Sequence, residues 1–446
     1  MKLSELIDKS FIQPIAHNET GIGIEIEMPL VPVSGGKVEI SFIKELTKFV
    51  ISMGFTPKDT THDKIVSVME KEEGANAFSF DTSWNTVEFS LMYKRDLNSL
   101  YREYTSLLIP IQHFCMEHDY FLCGRGINPN YAGFDPAPIG SAIYDAYTEF
   151  LKKYTWHHDG EIFHSLSASV QTHFDAADVP TFLKMFRLLR KAYVFDALFF
   201  ANSLPPDNAF IEGRPALHPI ERDTLCCRDD LWKYSGAPNT QLLNVRLDTE
   251  DDYRNYIRSL KLFIVGKDGG FAAMAPCSLD EYCSDPDWTE EMFSVFRSFE
   301  PVAPTRRGTM ELRSTCVQPL DAMMEPAAFY AGLIAVADDA DVLIDEIYDQ
   351  YFPGLEPPQV RALLMKCSAA ALRERLRDEG RRLLSLSVKG LEKRGFGEEK
   401  FLASLLGRLE QNGWRVPAEC WEDDVFEQTI QQMKNVEKEC GFSVDQ

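Results

Sequence analysis

The stretch "GIGIEIEMPL", Gly21 to Leu30, sets two glutamates two residues apart inside an apolar run. Side chains alternate across a strand, so Glu25 and Glu27 share one face, while Ile22, Ile24, Ile26 and Met28 fill the other. Acids are depleted in strands, and a charge taken out of water is costly without a partner. The isoleucine face therefore reads as the core side, and the glutamate face must be wet, paired or bound to a cation.

The same oddity recurs along the chain. "NTVEFSL" (85–91) sets Glu88 between Val87 and Phe89, and "TMELRST" (309–315) sets Glu311 between Met310 and Leu312, with Arg313 on the face of Glu311. Asp81 stands at the turn before the Glu88 strand. One explanation is that each acid lies on a separate solvated sheet face. The other is that they converge, because carboxylates sharing a face repel unless a cation joins them. Glu25, Glu27, Asp81, Glu88 and Glu311 are then ligands for a hard divalent ion. Mg²⁺ takes oxygen ligands and is often shared with substrate phosphates, so several carboxylates around two or three Mg²⁺ suit ATP.

Absent motifs narrow the chemistry. The chain contains no GxxxxGK[ST] phosphate loop, and "GIGIEI" lacks the third glycine of a dinucleotide fingerprint. Without a glycine cradle, cations and arginines must hold the nucleotide. The His-rich "TWHHDGEIFH" (155–164) fits no zinc spacing, so His157 and His158 read as loop residues.

Around these strands the pattern predicts a helix over 40–55, strands at "NAFSF" (76–80) and 85–91, and a long helix over 95–120 containing Pro110. A strand at 120–129, a Pro/Gly/Asn-rich loop at 128–140, a strand at 162–175 and a helix over 179–203 follow. Residues 204–240 read as loop, a strand is centred on 310–313, and the chain beyond about 320 reads as helical. The loops 128–140 and 204–240 are expected to rim the site. The fold class is α+β: a largely antiparallel sheet whose acidic inner face forms the active site, flanked by helices. No linker divides it, so one catalytic domain is expected over 1–446, with a core of about 15–325 and a helical segment of about 326–446.

Bulk composition agrees with an enzyme-sized globular chain: 446 residues, 45% hydrophobic, 26% charged. Asp and Glu number 69 against 46 Lys and Arg, a net charge of −23, which argues against nucleic-acid or anionic-membrane binding. "MKLSELIDKSF" carries Glu5 and Asp8 where a signal peptide needs an apolar core, and no apolar run reaches membrane-spanning length. The ten cysteines form no CxxC, so free thiols and a cytoplasmic location are expected. Oligomeric state has no signature in the sequence.

With these residues in hand the chain resembles the glutamate–cysteine ligase family, in its plant and proteobacterial branch. The carriers are "GIGIEIEMPL", "FDTSWNTVEFSL", "SLSASVQTHFD", "TMELRSTCVQPL" and "VKGLEKRGFGEEKFLASLLGRLEQNGWRVPAE", in the family's order over residues 20 to 420. The resemblance implies a glutamine synthetase-like fold, related also to guanidino kinases. It further implies ATP- and Mg²⁺-dependent ligation of a carboxylate to an amine through an acyl phosphate, a γ-glutamyl product and a place in glutathione biosynthesis. Small-molecule substrates (ATP and amino acids) would be the partners. Carried onto this chain, it makes Glu25, Glu27, Asp81, Glu88, Gln171 and Glu311 metal ligands, and Arg313, beside Glu311, a catalytic contact to phosphate. His173 stands where the family has asparagine, leaving both a substrate-facing and a core role open to it. Arg214 in "EGRPALHP" would bind a substrate carboxylate or be an ordinary surface arginine. The family's Arg-Tyr pair is reduced to Tyr144 in "GSAIYDAY", with Arg125 as a substitute, and Cys316 replaces an aspartate. Two other readings stay open: a non-catalytic nucleotide- or amino-acid-binding homologue, and a guanidino kinase-like phosphotransferase.

Overall fold

The computed structural model describes residues 1–16, 21–72, 76–130, 135, 137–155, 165–205, 222–283, 287–411, 415–421 and 424–441. Arg214, His157 and His158 lie outside these residues, as does much of the two expected rim loops.

The strands are β1 (Ile22–Pro32), β2 (Thr56–Thr60), β3 (Val66–Glu70), β4 (Ala77–Phe80), β5 (Thr86–Lys94), β6 (Tyr120–Leu122), β7 (Val170–Phe174), β8 (Lys261–Lys267), β9 (Gly270–Ser278), β10 (Val302–Pro304) and β11 (Met310–Leu312). Nine form one sheet in the order β10-β11-β7-β1-β5-β4-β3-β2, with β6 paired to the end of β1, while β8 and β9 form a separate hairpin. Every pairing is antiparallel. The fold is thus α+β with a largely antiparallel sheet and a helical C-terminal segment.

Register makes the sheet two-faced. Glu25 lies opposite Ser90 on β5 and Gln171 on β7, Glu27 opposite Glu88, and Glu311 opposite His173. The intervening residues Ile24, Ile26, Val87, Phe89, Val170, Met310 and Leu312 are fully buried on the other side. Because the side-chain period is two, a slip of one residue would turn every acid into the core, so burial of the apolar face fixes the register of the acids.

Helices close that apolar face. Asp96 caps Leu97–Glu117 by accepting from Ser99 N–H at 2.8 Å, and the helix runs through Pro110 instead of ending there. The expected 179–203 helix is divided. Val179–Ala192, capped by Asp178 with Pro180 in its first turn, gives way to a 3₁₀ turn and the short helix Asp196–Phe199. The break delivers Asp196 to a buried network described below. The strand expected over 120–129 stops at Leu122, after which Gly126 N–H turns to Asn202 C=O at 2.7 Å. Glu325–Ala335 is buried along nearly its whole length, packed against Arg377–Arg394. No described helix is long and apolar enough to cross a membrane, and all ten cysteines are free thiols.

Candidate active site

The acidic face floors a cavity of 420 Å³. Glu25, Glu27, Asp81, Glu88, Gln171, His173, Glu311 and Arg313 all line it. They fall into two groups, Glu27 with Asp81 and Glu88, and Glu25 with His173 and Glu311. Within each group one ligand atom per residue lies inside 4.8 Å of the others.

Local bonding holds each acid in place. Glu27 accepts from Ser169 N–H at 2.9 Å, Ser169 Oγ at 2.8 Å and Gln171 Nε2 at 2.5 Å. Asp81 accepts from the Tyr144 hydroxyl at 2.7 Å. The turn after Asp81 puts Thr82 at φ +60°, a left-handed conformation that costs a β-branched residue about 1–3 kcal/mol. Ile139 N–H, bonded to Thr82 C=O at 2.8 Å, pins that turn. Ser90 Oγ donates to Glu88 at 2.5 Å. His173 Nε2 stands 3.4 Å from Glu25, and its Nδ1 is 3.2 Å from Thr309 Oγ1. Arg313 donates to Glu311, with its guanidinium 5.6 Å from the Phe299 ring centroid and 6.0 Å from that of Trp232.

The two groups differ electrostatically. Burial opposes ionisation of Glu25, but the neighbouring His173 imidazole, with the charges of Arg313 and Arg307, brings its pKa down to about 2. Burial, then the charge of Asp81, pushes Glu27 up to about 7. Burial raises Asp81 despite the Tyr144 hydrogen bond, and Glu88 is raised well above its usual range by burial and the charges of Glu25 and Asp81. The trio of Glu27, Asp81 and Glu88 therefore carries repulsion that Arg228, Arg313 and Arg297 only partly offset and that a divalent ion would cancel. The Glu27–Asp81–Glu88 group offers carboxylate oxygens alone, as a hard cation prefers, and the other group supplies two carboxylates beside the softer His173 imidazole. Gln171 Oε1, buried without a hydrogen-bond partner, offers one more oxygen. These residues fit Mg²⁺.

The fit has a pH signature. Glu27 and Glu88 hold their protons to higher pH in the metal-free fold than in the unfolded chain, so the stability they contribute is full below about pH 4.5 and fades as pH rises through about 7 for Glu27. A cation bound to the ionised trio restores it. Saturating Mg²⁺ is thus expected to raise the thermal midpoint more at pH 8 than at pH 6 in differential scanning calorimetry. An equal or smaller shift at pH 8 counts against the trio as a cation site.

Two sequence-based expectations about the surroundings need correction, on Arg125 and on residues 204–240, and two further features stand beside them. Arg125 does not line the cavity: its guanidinium lies 4.2 Å from the Trp421 ring centroid and donates to Gln428 at 2.8 Å. The flanking Gly124 and Gly126 pass too close to the Gln318 and Asn202 carbonyls for a Cβ, and that tight path directs Arg125 to the C-terminal segment. Cys316 is also absent from the cavity wall, buried 3.5 Å from Cys226 Sγ and 3.3 Å from Ser203 Oγ. Residues 204–240 are not all loop. Helix Cys227–Tyr234 supplies Arg228 and Trp232 to the wall. Finally, Tyr144 apart, much of the rim comes from residues to which no role was assigned: Ile143 and Tyr147 on helix Ala142–Tyr154, Lys261 to Ile264 on β8, residues 294–299, and 304–307.

That rim brings the cations. Arg228, Lys261, Arg297, Arg306, Arg307 and Arg313 surround the acidic floor, a juxtaposition suited to phosphates bridged by metal. Only Arg313 was anticipated. The β8–β9 hairpin did carry a signal: Asp268-Gly269, both at positive φ, is the Asp-Gly pair of a two-residue turn between apolar runs. The arginines of 297–307 sit on connections with no periodicity to read.

Fold and site together define an α+β protein with a carboxylate-floored, arginine-rimmed cavity on one face of an antiparallel sheet. No family model and no curated protein sequence matches the chain. Among solved structures, the bifunctional glutathione synthetase of Pasteurella multocida shares the fold at a TM-score of 0.51 and 12% identity, over 98% of this chain. The chain spans about half of that protein, 54% of its length. The glutamate–cysteine ligase of Francisella tularensis, solved with AMP, superposes at a TM-score of 0.49 and 12% identity, over 98% of this chain and 96% of that one.

Proposed function

We propose that the chain is an ATP-dependent carboxylate–amine ligase acting on small molecules, with a γ-glutamyl bond between glutamate and cysteine as the first product to seek. One observation carries the reading. Five carboxylates and His173, drawn from four strands and a turn, meet as two cation-sized groups beneath a ring of arginines.

A carboxylate does not react with an amine at neutral pH, because its carbonyl carbon is poorly electrophilic and the carboxylate oxygen is a poor leaving group. Transfer of the γ-phosphoryl group of ATP to that oxygen releases ADP and leaves an acyl phosphate. The amine then attacks the acyl carbon, gives up a proton, and inorganic phosphate departs. Bound Mg²⁺ would supply charge neutralisation across the polyphosphate. Glu27, Asp81 and Glu88 would hold one ion and Glu25, His173 and Glu311 another, with Gln171 Oε1 within the same floor. Arg313, aimed by Glu311 and its aromatic neighbours, is preorganised to stabilise charge on the transferred group. Tyr147, Trp232, Phe263 and Phe299 wall the cavity with rings, limiting water that would hydrolyse an acyl phosphate.

The test is ADP release with Mg²⁺ and ATP across amino-acid pairs, glutamate with cysteine first, with product mass measured. Amine-dependent ADP release and a product lighter than its two substrates by one water are expected. A phosphorylated product without an amide indicates a phosphotransferase, and tight Mg·ATP binding without turnover a non-catalytic homologue. Either result overturns the proposal.

A further inference from the structure

The two ring nitrogens of His173 have different surroundings. Nε2 is buried, makes no hydrogen bond, and stands 3.4 Å from Glu25 in the group completed by Glu311. Nδ1 faces the Thr309 hydroxyl at 3.2 Å. Register explains that second meeting. Thr309 enters β11 two residues before Glu311 and so shares its face, and Glu311 lies opposite His173 on β7, which makes Thr309 the diagonal neighbour of His173. Thr309 is absent from the cavity wall and reaches the floor through His173.

The hydrogens around that contact can be counted. Thr305 Oγ1 accepts from Arg307 N–H at 3.2 Å and from Thr309 N–H at 3.3 Å, which uses both of its lone pairs. Its own hydrogen is left for Thr309 Oγ1, 2.7 Å away. Thr309 Oγ1 then keeps one lone pair, and His173 Nδ1 faces it. A cation among Glu25, His173 and Glu311 needs the Nε2 lone pair, so Nδ1 must carry the ring's hydrogen, and Thr309 is its acceptor. The backbone holds the two hydroxyls in place. Thr305 N–H bonds Thr309 C=O at 2.9 Å, and Gly308 N–H bonds Thr305 C=O at 3.1 Å. Gly308 sits at φ +81°, where a Cβ would collide with the Pro14 carbonyl, so the turn is seated on the N-terminal segment. Between the two threonines, Arg306 and Arg307 line the cavity. One turn thus delivers cationic side chains to the rim and sets the imidazole tautomer beneath it.

Resting on the two cation sites of the reading above, we propose that Thr309, backed by Thr305, is a positioning residue that fixes the His173 tautomer and thereby sets the affinity of the Glu25–His173–Glu311 group for its ion. The Glu27–Asp81–Glu88 group has its own supports in Ser169, Gln171, Tyr144 and Ser90. The effect of Thr309 is therefore selective for one ion of the two.

Manganese alone is the probe. Wild type, Thr309→Val and Thr309→Ser are titrated with Mn²⁺, the free ion being read by electron paramagnetic resonance and the imidazole-bound ion by nitrogen spin-echo modulation. His173→Asn identifies the modulation that belongs to His173. Wild type is expected to hold two ions, one of them nitrogen-coupled. Valine keeps the shape of threonine but removes the acceptor, so the nitrogen-coupled ion should bind about 10- to 100-fold more weakly, the usual cost of losing the outer partner of a metal-bound histidine. The other ion should stay within about twofold, which also shows that the variant is folded, and serine, which keeps the hydroxyl, should restore the first to within about threefold of wild type. Wild-type affinity of Thr309→Val for the nitrogen-coupled ion, a loss shared equally by both ions, or no restoration by serine overturns the assignment. If wild type holds two ions but releases no ADP with any substrate pair, the ligase reading has failed, and the manganese titration still judges Thr309. If wild type holds no nitrogen-coupled ion, the cation role of His173 and the assignment of Thr309 fall together.

Discussion

Replacing Glu311 with glutamine is expected to lower ATP turnover about a thousandfold while leaving the protein folded. Glu311 has two tasks in the geometry. It is one of three ligand-bearing residues in the Glu25–His173–Glu311 group, and it receives the Arg313 guanidinium. Glutamine keeps the size and one oxygen but removes the charge from both. A metal at a transferring phosphoryl group stabilises the transition state by several kcal/mol, and each 1.36 kcal/mol is a factor of ten in rate. Three orders of magnitude follow if that ion is lost. The sheet should persist, because Met310 and Leu312 on either side remain buried. Single-turnover ADP release with a far-UV spectrum as the folding control measures both. Near-wild-type release by a folded variant would falsify the role given to this group.

The second large effect concerns stability. Arg361 is 4% exposed and ties four segments together. Its Nε and Nη2 donate to Asp229 at 2.5 and 3.2 Å, Nη1 to Tyr193 C=O at 2.9 Å and Asp196 at 3.2 Å, and Nη2 to Ser314 C=O at 2.9 Å. Asp196 also accepts from Ser314 Oγ at 2.6 Å and from the Tyr330 hydroxyl at 2.5 Å. Asp229 follows Arg228, and Ser314 follows Arg313, so one buried guanidinium holds the segments that carry these two of the cavity's arginines. Arg361→Ala strands the buried Asp196 and should cost about 3–5 kcal/mol, the usual penalty for removing one partner of a buried pair. Urea denaturation followed by tryptophan fluorescence reads the loss. A change below about 1 kcal/mol, within the range of exposed ion pairs, contradicts the network's structural role.

The sequence carries some of this and hides the rest, for physical reasons. Glu25, Glu27, Glu88 and Glu311 stand out because a period-two apolar face leaves an acid nowhere else to point, and Ile24, Ile26, Val87, Phe89, Met310 and Leu312 are indeed fully buried opposite them. Gln171 came only from the family resemblance, and on β7 it lies opposite Glu25. His173 was ambiguous because imidazole suits a core as well as a cation site, and only the pairing of β7 with both β1 and β11 brings it to Glu25 and Glu311. Arg228, Arg297, Arg306 and Arg307 gave no warning, since arginine in a connection is ordinarily solvated. Their convergence depends on long-range packing of 222–235 and 291–307 over the sheet. Arg125 misled for the converse reason: it was named as a substitute for the family's arginine beside Tyr144, and nothing in the sequence tells which way two tightly packed glycines aim the residue between them.

The central claim is that acids from separate strands form two divalent-cation sites beneath a nucleotide. Crystals grown with Mn²⁺ and a non-hydrolysable ATP analogue, measured at the manganese edge, test it most directly. Two anomalous peaks are predicted, one within bonding distance of Glu27, Asp81 and Glu88, the other of Glu25, His173 and Glu311, with phosphate oxygens completing both. Analogue bound without manganese at either group, or manganese held only elsewhere, contradicts the account.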